Sequence, residues 1–405
     1  MTTDAPPDWD PHAPEVLVNP MSAYDRMRHR CPVAHSDFLH YSLFRHADVM
    51  RVLQDPHTFS SQASHYVSVP NSMDPPEHAA YRLMIEPYFN TKRITEFEPI
   101  CRQICRDLVA TLPHNGQIGI MFGLAHPFAL RVQCAFLGWP DSLHKPLRQW
   151  IRRKNAAMLS RDLQAMRTIA TEFDATIRTL LETRRKAGAD VPDDATTRLM
   201  HESVNGQPLK DAEIVSILRN WTVGELGTLA SSVGIIAYYL AGHPDVQELL
   251  RNRPELVRVA NDEILRICAP LTANRRTPTC PVHIGNTSIP AGERITLIWA
   301  SANRDETVFG DPDEFRLDRN PALNLLYGAG IHACPGAPLA RLELEAMIQA
   351  LLAGTRALEP VGDTPPAPAT YPTGGYHEVV LRIYRHAEKL AGFDSYQRNT
   401  SDSEV

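Results

Sequence analysis

The chain has 405 residues, 43% of them apolar and 22% charged, with a net charge of −6. That balance excludes wholesale disorder and a small scaffold that must be stapled by disulfides or metal. The slight acidic excess argues against a nucleic-acid binder, whose surface is basic.

The first ten residues, MTTDAPPDWD, lack the basic start and apolar run of an export signal. The longest apolar stretch, 233–241, falls short of the roughly 20 residues that span a bilayer. A cytoplasmic protein is therefore expected. The cysteines at 31, 101, 105, 134, 268, 280 and 334 are odd in number, which with no export signal argues against a disulfide framework.

The chain divides into an N-terminal segment 1–20, a body 21–385 and a polar tail 386–405. Short β segments are predicted near 34–43. A helix over 98–112 carries Ile100, Ile104, Leu108 and Leu112 at four-residue spacing. Cys101 and Cys105 on it are either a metal or redox pair or two buried small side chains; burial is the favoured reading. Helical periodicity returns over 163–183. Residues 211–240 are apolar and lightly charged, as in a helix buried on most sides. His243-Pro244 breaks it, a further helix follows, and 254–267 forms another, ended by Ala269-Pro270. Residues 282–300 alternate and turn at Gly285-Asn286 and Ala291-Gly292, predicting a small hairpin sheet. A Gly- and Pro-rich loop, 328–338, runs into an apolar helix, and a last β segment lies near 378–383. The fold class is mainly α with a minor β part, in a single domain.

The loop Tyr327-Gly328-Ala329-Gly330-Ile331-His332-Ala333-Cys334-Pro335-Gly336 is the most informative stretch. Glycines let backbone approach a flat ligand and take positive φ freely. A cysteine at a helix N-terminus meets the positive dipole end and free amides, which favour its thiolate. One thiolate with no CxxC partner does not suit structural zinc. It suits haem, whose porphyrin supplies the equatorial donors.

The loop resembles the haem-binding signature of the cytochrome P-450 superfamily, aromatic-x-x-Gly-x-His/Arg-x-Cys-x-Gly, through Tyr327, Gly330, His332, Cys334 and Gly336. Tyr327 stands where the family usually has Phe. A second match is Glu263-Ile264-Leu265-Arg266, whose Glu and Arg share one helix face. The resemblance implies that Arg319 completes a buried ionic network with them. The third match is Asp74-Pro75-Pro76-Glu77-His78 followed by Arg82. The resemblance implies that His78, Arg82, Arg276 and His332 hold the propionates of heme b, with Cys334 on the iron. It spans roughly residues 20–385 and implies a P-450 fold.

Family members split dioxygen with protons supplied through an acid–alcohol pair on the long central helix. Counting back from His243-Pro244 places the alcohol at Thr228 and the acid position at Gly227. Gly224, one turn before Thr228, faces the expected haem. The carboxylate is displaced to Glu225, where the family usually has glycine. Glu225 is about 100° around the helix from Gly224. It relays protons, binds a basic or hydroxylated group of the substrate, or pairs with an interior Arg; the sequence leaves the three open.

The resemblance puts substrate contacts in 62–73, 221–232, 270–274 and 371–377, including His65, Tyr66, Val69, Leu271, Thr272 and Tyr376. Their mixed lining suits a small or medium-sized, partly apolar molecule. The implied activity is a haem-thiolate monooxygenase that hydroxylates, dealkylates or epoxidises such a substrate. The length leaves no room for a flavin or iron–sulfur domain, so electrons are expected from a separate ferredoxin with its NAD(P)H-dependent reductase, docking near Arg102, Arg106 and Arg341. Two alternatives are a peroxide-driven peroxygenase of the same fold, which typically carries Arg-Pro where this helix has Thr228-Leu229, and a non-catalytic haem-binding sensor.

Overall fold

The computed structural model describes residues 8–63 and 68–386. Its centre is the helix Asp211–Gly242. Buried residues occur all around it, among them Ile214, Leu218, Leu229, Val233 and Ile236, so it is covered on nearly every side. By length and hydropathy this helix could cross a membrane, but most of its apolar window is buried inside the protein. Against it pack the helices His126–Leu137, Leu163–Ala187, Val257–Cys268 and Ala337–Gly354. The last of these also lies along Thr91–Ala110.

The helix predicted over 98–112 is present as Thr91–Ala110, with one change of face. Ile100 is half exposed, and the buried stripe runs Phe97, Cys101, Ile104, Cys105 and Leu108. A strict four-residue stripe turns about 40° per step away from a straight line down a 3.6-residue helix, so its first member leaves the core. Cys101 and Cys105 are fully buried, and among the described residues no group of three His, Cys, Asp or Glu could hold a metal ion. The metal-pair reading is thereby set aside in favour of packing.

The β part is split among small sheets. The largest has the order Val33–Ser36, His40–Leu43, Ile295–Leu297, Asn274–Pro278, Phe59–Ser60. Residues 282–300 do not make one hairpin sheet. Val282–Ile284 and Thr287–Ile289 pair across Gly285, which has φ +57°. Ile295–Leu297 joins the large sheet instead, parallel to His40–Leu43, and Trp299–Ala302 is helical. The reason is the second turn: Gly292, at φ +81°, donates its N–H to the Pro278 carbonyl and hands the chain to that strand. A three-stranded sheet joins Thr355–Pro360, Val380–Arg385 and Asn115–Gly119.

Trp9 packs edge-on against Tyr24 and Phe44, so part of the N-terminal segment is bonded into the body. The tail expected beyond His386, and His65 and Tyr66 among the expected substrate contacts, lie outside the described residues.

Candidate active site

The thiolate loop is built by its backbone. Gly328 has φ +70° and Gly330 φ +69°, a region L side chains rarely adopt. At Gly330 a Cβ would also lie 2.1 Å from the Leu53 carbonyl oxygen, so helix His46–Gln54 and the loop touch through this glycine. The Cys334 N–H donates to the Tyr327 carbonyl at 2.8 Å, closing the loop on itself. The backbone N–H groups of Gly336 and Ala337 point at the Cys334 sulfur, at the start of helix Ala337–Gly354. Burial pushes the free thiol up, and those amides pull it back toward the thiolate. Cys334 nevertheless keeps accessible surface, so it faces an opening in the fold. The Tyr327 ring lies under the Arg341 guanidinium at 4.6 Å, and Arg341 donates to Asp262 at 2.9 Å.

Behind the loop stands the expected ionic network. Arg266 grips Glu263 with two hydrogen bonds of 2.8 and 2.9 Å, and Arg319 Nε reaches the same carboxylate at 2.8 Å. Arg266 is 1% exposed and Glu263 5%. Its remaining donors reach the carbonyls of Asn303 and Pro312. Arg319 binds those of Phe309, Asp311 and Glu314. The three charges are thus paired and hydrogen-bonded, as burial demands.

At one side of the loop, buried nitrogen donors converge with few acceptors. The rings of His78 and His332 lie 4.2 Å apart, and the Nε2 of each is buried with no hydrogen-bond partner among the described residues. Arg276 is 5% exposed and donates only back to its neighbour, the Arg275 carbonyl. Burial lowers it to about 10, and burial with Arg276 and His78 lowers His332 to about 3. Asp74, the nearest carboxylate, is occupied by Ser60 and Ser61. Arg82 comes to the same place but is partly used: it donates to the Ala333 carbonyl at 2.7 Å and to Glu86 at 2.9 Å. Desolvated donors without acceptors are costly, so this cluster fits a ligand bearing carboxylates.

The facing wall is the central helix. A Cβ on Gly224 or Gly227 would meet no atom within 4 Å, and Gly224 is exposed while Val223, Glu225, Gly227 and Thr228 beside it are half-buried. The Thr228 hydroxyl donates to the Gly224 carbonyl at 2.5 Å. Glu225 approaches closely enough for its charge to act on Cys334. Glu225 does not pair with an interior Arg. Its Oε1 is buried with no hydrogen-bond partner among the described residues, as are both carboxyl oxygens of Glu343, a residue that sequence reasoning missed, since Glu343 looks like any other carboxylate of an apolar helix; burial raises both.

The expected substrate contacts divide. Val69 is buried and pinned to the central helix: its N–H donates to Ser216 and its carbonyl accepts from Asn220. Thr272 is turned away, donating to the Pro372 carbonyl at 3.0 Å, because it ties the segment after helix Val257–Cys268 to the C-terminal turn. Tyr376 packs on Tyr238 at 4.9 Å. Of the expected docking arginines, Arg102 is paired with Glu98 and Gln349 and Arg341 with Asp262, while Arg106 bonds only Gln103. A surface cleft of about 370 Å³ lined by Val191, Asp193, Arg198 and His201 contains none of these residues.

A cysteine sulfur met by backbone amides, central-helix glycines with open space beside them, and buried nitrogen donors lacking acceptors fit a flat, dicarboxylate-bearing haem. Fold and site together define a haem-thiolate protein. The comparisons agree. The family model described as Cytochrome P450 matches residues 252–370. Cytochrome P450 130 of Mycobacterium tuberculosis is 30% identical over 367 residues, covering 84% of this chain and 89% of that protein. Linalool 8-monooxygenase of Pseudomonas putida is 28% identical over 334 residues, covering 77% and 82%. The crystal structure of CYP109E1 from Bacillus megaterium in complex with testosterone aligns with TM-score 0.82 at 26% identity, over 91% of this chain and 98% of that one. This chain belongs to the cytochrome P450 family; it is a P450 monooxygenase whose cofactor is heme b.

Proposed function

We propose that this enzyme inserts one atom of dioxygen into a small or medium-sized, partly apolar organic molecule, by hydroxylation, dealkylation or epoxidation. Its electrons come from a separate ferredoxin and NAD(P)H-dependent reductase, and it works in the cytoplasm. The observation that carries the reading is Cys334, which keeps accessible surface in the glycine-rich loop and is flanked by the Gly336 and Ala337 amides. The relative named as linalool 8-monooxygenase and the neighbour holding testosterone support an organic substrate of this size range.

The bound haem would supply dioxygen activation; the protein binds, orients and meters protons. Cys334 would hold the iron, with its thiolate favoured by the Gly336 and Ala337 N–H groups. His78, Arg276 and His332 would hold the propionates, while Arg82 braces the Ala333 carbonyl. Gly330 and Gly336 would let the loop backbone lie close to the bound group, and Tyr327 seats the loop on Arg341. Gly224 leaves room on the opposite face. Thr228 presents its hydroxyl there, held by the Gly224 carbonyl. The network of Glu263, Arg266 and Arg319 is structural and holds the loop's underside.

The test is the absorption spectrum of the purified protein, reduced and exposed to carbon monoxide. A strongly red-shifted Soret band is expected for thiolate-ligated haem. A band like that of His-ligated haem, after full haem loading, sinks the assignment of Cys334. Substrate-dependent NAD(P)H oxidation with surrogate redox partners then separates turnover from haem sensing.

A further inference from the structure

A surface crevice away from the thiolate loop carries charge that the site above does not use. It opens between the helices His126–Leu137 and His144–Leu159 and is lined by Phe122, His126, Leu130, Arg148, Ile151 and Arg152. Leu130 and Ile151 are buried, while Phe122 is 42% exposed. The Phe122 ring lies 5.5 Å from that of His126 and 6.3 Å from that of His377, which brings the C-terminal turn to the same place.

Helix His144–Leu159 brings unbalanced charge to it. The helix holds six basic residues, His144 among them, and no acidic one. His144 pairs with Asp141 and Arg153 with Glu172, and among the described residues no ion pair reaches Arg148, Arg152 or Lys154. Arg148 and Arg152 are exposed, but Lys154 is half-buried. It stands three residues on from Ile151 and so shares the crevice face of the helix. Its ammonium lies 5.8 Å over the Trp150 ring, which is fixed by a hydrogen bond from its Nε1 to the Ile169 carbonyl. Glu378, next in the chain to His377, is already occupied: its Oε1 accepts the N–H groups of Met121 and Val379, both at 2.8 Å.

His126 shows the same lack of an acceptor from inside the fold. Its Nδ1 is buried with no hydrogen-bond partner among the described residues. Burial lowers its imidazole to about 4, aided by Lys154, His377 and Arg148, all of them basic. Burial also lowers Lys154, and no acidic neighbour opposes it. Desolvated nitrogen groups without acceptors are costly. Packing gives no reason for them, since a Met or Leu at 154 would cover the same surface without a charge. A carboxylate would relieve them together, because it accepts from several donors and forms charge-assisted bonds to ammonium and guanidinium groups.

We propose that this crevice binds the carboxylate of an organic acid whose apolar body lies on Phe122. Lys154 and Arg148 meet the charge, and His126 donates from Nδ1. The turn that carries His377 is tied to the central helix: the Gly374 carbonyl accepts from Ser231, three residues past Thr228, at 2.5 Å, and Tyr376 packs on Tyr238. The acid is either the substrate, lying along that turn, or a ligand held apart from the haem. The chemistry recognised is the same, and the experiment separates the two. Binding of the acid is independent of the chemistry at Cys334.

The test is calorimetric titration of the holoenzyme with octanoate and with phenylacetate, each against its neutral amide. In at least one pair the acid is expected to bind about tenfold more tightly than the amide, the worth of a charge-assisted hydrogen bond. Lys154→Met is expected to weaken the acid by about tenfold. Arg148→Gln, at an exposed site, weakens it by about threefold. The affinity of the amide stays unchanged in both. Arg148→Gln alters only exposed surface, so it carries the test if Lys154→Met does not fold. A haem spin-state shift that follows the acid and is lost in Lys154→Met identifies the acid as substrate. Binding heat without a spin-state shift identifies a ligand held apart from the haem. No binding of either acid, or equal affinity for acid and amide, overturns the proposal. So does an acid preference that neither substitution reduces. A parent protein without the thiolate-haem band overturns the reading of Cys334 instead and leaves the calorimetric result standing.

Discussion

Gly330 is the residue on which the active-site loop turns, and two separate constraints act on it. Its φ of +69° strains any L side chain, and the space a Cβ needs is filled by the Leu53 carbonyl. Gly330→Ala is expected to lose at least about 1–3 kcal/mol from backbone strain, before the clash is counted. Chemical denaturation should report this, with reduced haem content. Gly336 differs: it lies at φ −80°, and a Cβ there would sit in ordinary contact, 3.8 Å from the Cys334 sulfur. Gly336→Ala should fold with stability within about 1 kcal/mol of the parent. Equal destabilisation by the two substitutions would refute this account of the loop. The motif was legible in the sequence because glycine punctuation and a helix-start cysteine are local chemistry. The distinction between its glycines was not, since Leu53 comes from another helix.

Among elements, helix Val257–Cys268 is held by charge as well as packing. Glu263 takes donors from Arg266 on its own helix and from Arg319, which arrives from a loop far along the chain. Replacing Glu263 by Gln strands the buried Arg266 guanidinium and the largely covered Arg319 one, and is expected to cost about 3–5 kcal/mol. The exposed pair Arg316–Asp318 serves as the control. Asp318→Asn should leave the denaturation midpoint unchanged, since exposed pairs contribute little. A small loss at Glu263 would mean that the network is not buried in solution. Glu263 and Arg266 could be paired from their spacing alone. Ile100 shows the limit of such reasoning, because which face of a helix is buried depends on what lies opposite.

Across the whole molecule, the N-terminal helix Pro20–Arg30 is clamped to the chain near residue 304 by ions. Asp25 accepts from Arg28 at 2.7 Å and from Arg304 at 2.9 Å, and both arginines are buried. Burial pushes the Asp25 carboxyl up, but the hydrogen bonds and charges of Arg304 and Arg28 outweigh it, holding it below the usual 3.8. A carboxyl that is more acidic in the folded state stabilises fully above its unfolded pKa and loses that contribution as pH falls through its folded one. Asp25→Asn should therefore cost roughly 2 kcal/mol from neutral pH down to about 4, and the gap to the parent should close below that. Urea titrations at a series of pH values test this. A gap that persists in acid would show that the loss is steric rather than ionic.

By itself the sequence determined the helical class, the thiolate loop and the Glu–Arg pair. Each follows from short-range geometry: helix periodicity, glycine conformation, and side chains one turn apart. Only the tertiary structure decided what meets across elements. It turned Thr272 onto the Pro372 carbonyl, moved Ile295–Leu297 out of a hairpin into the larger sheet, and gave Arg102 and Arg341 acidic partners in Glu98 and Asp262. It also buried Glu343 where the helix Ala337–Gly354 packs on the central helix that carries Glu225, two acids more than a hundred positions apart. A buried carboxyl and a solvated one are the same letter in a sequence. The packing of helix Ala337–Gly354 on the central helix makes the difference, because it removes water from both acids and leaves their buried oxygens without a hydrogen-bond partner among the described residues.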